Sequence, residues 1–368
     1  MVICPMRCFG SPIVWLGKFL RRAVMFAGVA IAGTPVWAAP ALELGIDRSG
    51  LSMQPGPAQQ KALEDIRGLG ATWFRDGPSS GAARGVANFV ELVRRAKQLQ
   101  LKVLVNIVQV DSDYDGDLAA NRCGWKAKPL SRINLTKFAD RLRALFGAIR
   151  AAGVTIDAVE FGNEDDSDCY DADVPSGRAA TSQELATWLR GYGKFLQAGA
   201  EVLHDQRYFP HAQIITFGIA HGSDVWDKPP HHLLNPAQVM ARLRNVDGVN
   251  YLDNEKYHVD GYGTHIYAWP NDIAASVVDT LRSDREALGG AKPLWVTEWG
   301  FLDQKAFPNK RGQDVAQAVT EMLHAFEAVR SSVPLGPVMF YRYDVWLTDQ
   351  AGKLLPTAHS LSEYTKAH

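Results

Sequence analysis

The chain lacks an excess of charge of either sign. Its 39 basic and 40 acidic side chains leave a formal net charge of −1, so there is no global electrostatic case for nucleic acid or for an anionic membrane surface. Cysteine is scarce, with four in 368 residues. After the first 40 residues no apolar run is long enough to cross a bilayer. Internal repeats, low-complexity linkers and any break that would mark a second domain are missing too. What is left, 46% hydrophobic and 21% charged, is the make-up of an ordinary globular chain.

The first 40 residues stand apart. Lys18, Arg21 and Arg22 precede the apolar run "AVMFAGVAIAG", and "TPVWA" places Val36 and Ala38 at the small-residue positions before a cut. Residues 1–38 therefore read as a signal peptide, leaving 330 residues (368 minus 38). A membrane anchor is the alternative, but the run is short for a span and ends at a cleavage pattern. The expected location is periplasmic or secreted. Cys4 and Cys8 leave with the leader, so Cys123 and Cys169 are a candidate disulfide in an oxidising compartment. A ring spanning 46 positions (169 minus 123) would stabilise the fold by roughly 4 kcal/mol in the chain-entropy picture.

The remaining chain alternates short β-branched runs with helical stretches. "LELGID" (42–47), "ATWFRD" (71–76), "LKVLVNIVQV" (101–110), "IDAVEFGNE" (156–164), "AQIITFGIA" (212–220), "VDGYGTHIY" (259–267), "KPLWVTEWG" (292–300) and "GPVMFYRYDVW" (336–346) read as eight strands. Each is followed by a helical segment. In the third, Leu135, Phe138, Leu142, Leu145, Phe146 and Ile149 recur at helical spacing and Gly153 closes it. Strands alternating with helices imply a parallel sheet buried on both faces. Eight such units in one domain, residues 39–368, fit a closed (β/α)8 TIM barrel of the α/β class; a doubly wound open sheet is the alternative.

In such a barrel the C-terminal strand ends form the active face. Glu164 ends the fourth strand, next to Asn163, and Glu298 ends the seventh. The two lie 134 positions apart (298 minus 164), yet closure would bring both over one cavity. Two facing carboxylates are the machinery of glycoside hydrolysis: one protonates the leaving oxygen, the other attacks the anomeric carbon.

"FGNE" and "VTEWG" resemble the catalytic signatures of glycoside hydrolase clan A, the retaining (β/α)8 enzymes, closest to families 5 and 39. The resemblance implies an exported hydrolase acting on a β-linked poly- or oligosaccharide by double displacement. It gives Glu164 the acid/base role and Glu298 the nucleophile, with the two carboxyl groups about 5–5.5 Å apart. It implies that Asn163 holds the sugar 2-hydroxyl and that Arg75, in "WFRDG", keeps the nucleophile ionised. Tyr267 would donate to Glu298, and His265 would bond the sugar or orient the acid. The third strand lacks the histidine found there in many family 5 enzymes. The aromatic floor of the sugar site is left open between Tyr341, Tyr343 and Trp346. Trp125, Trp226, Trp269, Trp299 and Trp346 all fall in or next to the segments after strands three, five, six, seven and eight, and together they favour a carbohydrate groove.

The loop "DSDYDGDLAANR" carries Asp111, Asp113, Asp115 and Asp117 in the first two-thirds of a calcium-loop pattern, with Gly116 sixth. Position twelve is Arg122 and no helix pair flanks it, so a solvated acidic loop is preferred. A structural calcium completed by Asp166 and Asp168 is the alternative. No cofactor is otherwise expected. The expected partner is carbohydrate, bound by a monomer, with no role for nucleic acid or for a membrane once the leader is gone. Two rivals remain: a non-catalytic sugar-binding barrel, and a serine esterase using Ser79 in "GPSSG". A transglycosylase would use the same two glutamates.

Overall fold

The computed structural model describes residues 41–368 apart from 79, 122, 125, 127, 177, 222–235, 256–257, 269–272 and 302–312. The leader, Ser79, Trp125, Trp226 and Trp269 thus lie outside the described residues. Among the described residues no helix is long and apolar enough to cross a membrane.

Strands β1 (Leu44–Asp47), β2 (Trp73–Asp76), β3 (Lys102–Ile107) and β4 (Ala158–Phe161) alternate with helices α1 (Gly56–Gly68), α2 (Ala83–Gln98) and α3 (Leu135–Ala151). Then come α4 (Ser182–Leu203), β5 (Gln213–Thr216), β6 (Ile219–Ala220), α5 (Pro236–Ala241), β7 (Tyr262–Ala268), α6 (Ile273–Leu288), β8 (Leu294–Phe301), α7 (Gln313–Val329), β9 (Leu335–Tyr341) and α8 (Pro356–Ala367). Two of the helices, α3 and α4, start where side chains satisfy free backbone N–H groups. Asn134 Oδ1 accepts from the amides of Thr136 and Lys137, both at 3.1 Å, ahead of α3. Thr181 and Glu184 form a reciprocal capping box ahead of α4.

All neighbouring strands pair in parallel, in the order β5-β4-β3-β2-β1-β9-β8-β7-β6. The nine strands occupy the eight expected places, because "AQIITFGIA" is broken at Phe217–Gly218 into β5 and β6. The sheet closes there. Ile215 bridges in parallel to Gly261, just ahead of β7, while Ile219 pairs with Thr264 within it. The eighth place differs from expectation. β9 stops at Tyr341, and residues 343–347 form a π-helical turn closed by the Thr348 amide donating to Tyr343 O (3.2 Å).

Most buried apolar side chains lie between strands and helices. A second, smaller cluster fills the barrel itself: Trp73, Leu104, Ala158, Ile215, Trp295 and Met339. Trp73 and Trp295 meet edge to face, with centroids 5.1 Å apart. This plug closes one end of the barrel, and the strands run on past it towards the other.

Candidate active site

Side chains on a strand alternate faces, so the residue two places beyond a plug residue also points inwards. That rule builds the floor of the site. Trp73 is followed by Arg75, Leu104 by Asn106, Ala158 by Glu160 and Met339 by Tyr341. Gly45, whose missing side chain makes room for the Met339 sulfur, is followed by Asp47.

Arg75 is the hub. Its Nε donates to Glu160 Oε2 (2.7 Å), its Nη1 to Glu298 Oε1 (2.7 Å) and to Asp47 Oδ2, and its Nη2 to Asn163 Oδ1 (2.9 Å). Asp47 and Glu160 are wholly buried and Arg75 is only 1% exposed. Burial alone would lower the Arg75 pKa. The charges of Glu160, Asp47 and Glu298 overcome it and hold the value well above the ordinary one. Burial pushes Asp47 up, with Arg75 opposing and Glu298 adding to the rise. A guanidinium cannot deprotonate here, so this cluster keeps a fixed positive centre beside Glu298.

Glu298 reaches the cavity through an irregularity. β7 and β8 shift register between Thr264/His265, so that Thr264 faces Val296 but His265 faces Glu298. The extra residue is Thr297, and it reverses the alternation of β8. Glu298 therefore turns inwards, where the Tyr267 hydroxyl donates to its Oε2. The same reversal turns Trp299 outwards. Trp299 is fully buried against Phe326 of α7 and Phe340 of β9, so its expected place in the sugar site is corrected to the core.

Glu164 sits on the loop after β4 with a left-handed backbone, φ 49°. Such a conformation is uncommon away from glycine and is found at sites where the surroundings hold it. Here the Glu164 amide donates to Gly218 O (3.2 Å), and the Ser167 amide donates to Glu164 O (2.8 Å). Just before it, Gly162 (φ 98°) leaves no room for a side chain: a Cβ would stand 2.0 Å from Asp165 Oδ2. His265 Nδ1 lies 2.8 Å from Glu164 Oε1 and 3.7 Å from Glu298 Oε2. Two carboxylates on that side place the ring proton on Nδ1. Burial would lower the His265 pKa, but the charge of Glu298, then the bond and charge of Glu164, raise it above normal. His265 is 1% exposed with Nε2 turned against Gly218, so of its two expected roles the geometry selects orienting Glu164 over bonding the sugar.

The end of β6 is anchored in turn. The Ala220 amide donates to Asp166 Oδ1 (3.2 Å), and His221 Nε2 lies 2.9 Å from Asp284 Oδ2 on α6.

Glu164, His265 and Glu298 each bring one ligand-type atom within 4.8 Å of the others. That trio could in principle hold a cation. Arg75 and Tyr267 already donate to the two Glu298 oxygens, so that carboxylate is held by hydrogen bonds within the protein.

The pair opens into a cavity of about 730 Å³. Asn163, Tyr170, Tyr267, Tyr341 and Trp346 are on its wall. Of the three aromatic candidates on the last strand, Tyr341 and Trp346 face the cavity. Tyr343 instead donates to Asp65 Oδ2 (2.5 Å) on α1. Asn163 Oδ1 is held by Arg75, which leaves its amide nitrogen as the cavity-facing donor.

The acidic loop does not converge on one point, which corrects the calcium alternative. Asp111 pairs with Lys126 (3.0 Å), Asp113 with Arg141 (2.7 Å) and Asp115 with Lys137 (2.7 Å), while Asp117 is exposed. Each of the first three carboxylates already has its own cation. Cys123 and Cys169 are joined, tying this loop to the one that carries Glu164.

Asp47, Asn106 and Glu160 carry no motif and were not singled out in the sequence. Their one signal is period two: each is a polar residue in an apolar strand, two places beyond a small or apolar inward position. Lys126 and Lys128, also on the cavity wall, follow from loop shape and leave no such signal.

No protein-family model matches the chain, and no curated protein matches it. Solved structures do resemble it. A monomeric beta-xylosidase from Caulobacter crescentus superposes with TM-score 0.61 at 12% identity, over 88% of this chain and 67% of that one. A GH5_18 protein from Bifidobacterium longum subsp. infantis gives 0.59 at 14%, over 89% and 79%. An endo-beta-1,4-mannanase from Thermotoga petrophila gives 0.54 at 14%, over 88% and 76%. At such identities the likeness establishes the fold, a single (β/α)8 barrel shared with glycoside hydrolases.

Proposed function

We propose that the protein is a retaining β-glycoside hydrolase acting on a β-linked poly- or oligosaccharide, with Glu298 as nucleophile and Glu164 as acid/base. One observation carries this reading. Carboxylate oxygens of Glu164, on the loop after β4, and Glu298, in β8, lie within 4.8 Å of each other at a single cavity. That spacing suits direct attack by one carboxylate. Inverting enzymes hold the pair about 6.5–9.5 Å apart to admit a water. The barrel shared with a xylosidase and a mannanase supports the same class.

In the first step a Glu298 oxygen attacks the anomeric carbon. Glu164 gives its proton to the glycosidic oxygen as that carbon–oxygen bond breaks. In the second, Glu164 takes a proton from water, and the water oxygen displaces Glu298 with the sugar's configuration restored. Arg75 and Tyr267 keep Glu298 ionised and aimed, His265 orients Glu164, and the Asn163 amide donates to the 2-hydroxyl. Tyr341 and Trp346 offer faces to the sugar rings. The leader, residues 1–38, and the Cys123–Cys169 bond support export, and the protein acts as a monomer.

The test is a panel of aryl β-glycosides and β-glycans, with a Glu298→Ala control and NMR of the first-formed anomer. Activity lost in the control, with retained configuration, is expected. Inverted product, or full activity in Glu298→Ala, would overturn the assignment.

A further inference from the structure

The cavity rim carries two charge groups of the same make-up. On the loop after β3, Lys126 and Lys128 share Asp111, at 3.0 and 3.5 Å. Beyond β9, Arg342 and Arg48 share Asp344, at 2.6 and 3.1 Å. Each group sets two cations against one carboxylate, so each leaves one positive charge over. Lys126, Lys128 and Arg342 all line the cavity, with side chains 52%, 24% and 34% exposed.

Among the described residues, the acids facing the same space do not cancel this surplus at the rim. Glu298 shares Arg75 with Asp47 and Glu160, and Glu164 is bonded to His265, all at the floor. Asp165, the third acid on the wall, is pushed up to about 8 by burial, so it is largely uncharged at neutral pH. The result is an acidic centre ringed by a basic rim. Partly desolvated cations with incomplete pairing favour an anion that can reach them.

We propose that the cavity takes an anionic β-glycan, in which sugars flanking the cleaved linkage carry carboxylates that lie against Lys126, Lys128 and Arg342. This rests on the glycosidase reading and refines it to a substrate class. The charge lies away from the sugar being attacked, whose surroundings are the acidic floor. Uronic acid residues provide such a carboxylate; sulfate esters share its charge and hydrogen-bonding chemistry.

The experiment uses Glu298→Gln protein and calorimetry, with matched ligands that differ only in charge. These are β-1,4-glucuronan oligosaccharides against cello-oligosaccharides, oligomannuronates against manno-oligosaccharides, and sulfated cello-oligosaccharides. At least one acidic series should bind roughly three- to tenfold more tightly than its neutral partner, as for one or two partly exposed ion pairs. The preference should shrink with added salt and in Lys126→Met/Lys128→Met. Tightest binding of the sulfated series would keep the proposal with sulfate as the anion. Failure of every acidic series to outbind its partner, or a preference untouched by the lysine changes, would overturn it. Aryl β-glycoside hydrolysis by the wild type, lost in Glu298→Ala, reports on the glycosidase reading separately.

Discussion

At the residue scale the site depends on one arginine. Arg75 faces three carboxylates and the Asn163 amide, and no other arginine or lysine among the described residues pairs with Asp47, Glu160 or Glu298. Replacing it with methionine leaves buried acids unpaired, which costs about 3–5 kcal/mol. Chemical denaturation should show that loss. Activity should fall by roughly 10²–10³ through the lost electrostatic support, or further if unfolding intervenes. Glu164→Gln should behave differently. It removes the proposed proton donor, so cleavage of unactivated glycosides should fall by about 10²–10⁴. Aryl glycosides with acidic leaving groups need less protonation and should lose less in that first step. Equal losses on both substrates would speak against the acid role. The residues in these predictions were legible because they end strands in short motifs. Asp47 and Glu160 were not, because a charged residue in an apolar run is informative only once the inward face is known.

At the element scale the sequence showed where strands run but not where they break. The apolar pattern of "VTEWG" continues smoothly, and nothing in it signals that Thr297 is an extra residue. A one-residue shift exchanges the two faces of a strand, so Glu298 and Trp299 swapped the sides that strict alternation assigns. For the acidic loop the spacing left a calcium site open beside the preferred solvated loop, and the partners of its carboxylates come from α3 and the loop ahead of it. The disulfide was read correctly. Its sequence separation of 46 predicts that Cys123→Ser/Cys169→Ser loses about 4 kcal/mol. The Tm should drop accordingly, and the same drop should follow when reductant is added to the wild type. Because the bond joins the loop of Lys126 to that of Glu164, KM should rise more than kcat falls.

For the whole molecule, several buried groups favour the protonated form. Burial pushes Asp76 and Asp166 up to about 7 and Asp165 to about 8, from an ordinary 3.8. An acid raised on folding contributes stability that is fully present below 3.8 and is lost as pH rises through its folded value. His265, raised above 6.5, acts in the same direction, its contribution fading above that value. At the other end, the Arg207 bond lowers Asp205 and the Arg178 bond lowers Glu184, each to about 2. Their contributions are lost as pH falls towards that value. The Tm should therefore be highest near pH 4 and should decline as pH rises from there to about 8. Asp165→Asn should flatten the alkaline limb; a limb unchanged in that variant would place the titration elsewhere. The barrel also closes on itself at Phe217–Gly218, and this joint has chemical work to do. A Cβ at position 218 would stand 2.0 Å from His265 Nε2, so an added methyl would push the imidazole off its carboxylate. The absence of a side chain at the join thus sets the aim of His265 on Glu164, and on the proposed mechanism Gly218→Ala should silence catalysis without changing either carboxylate.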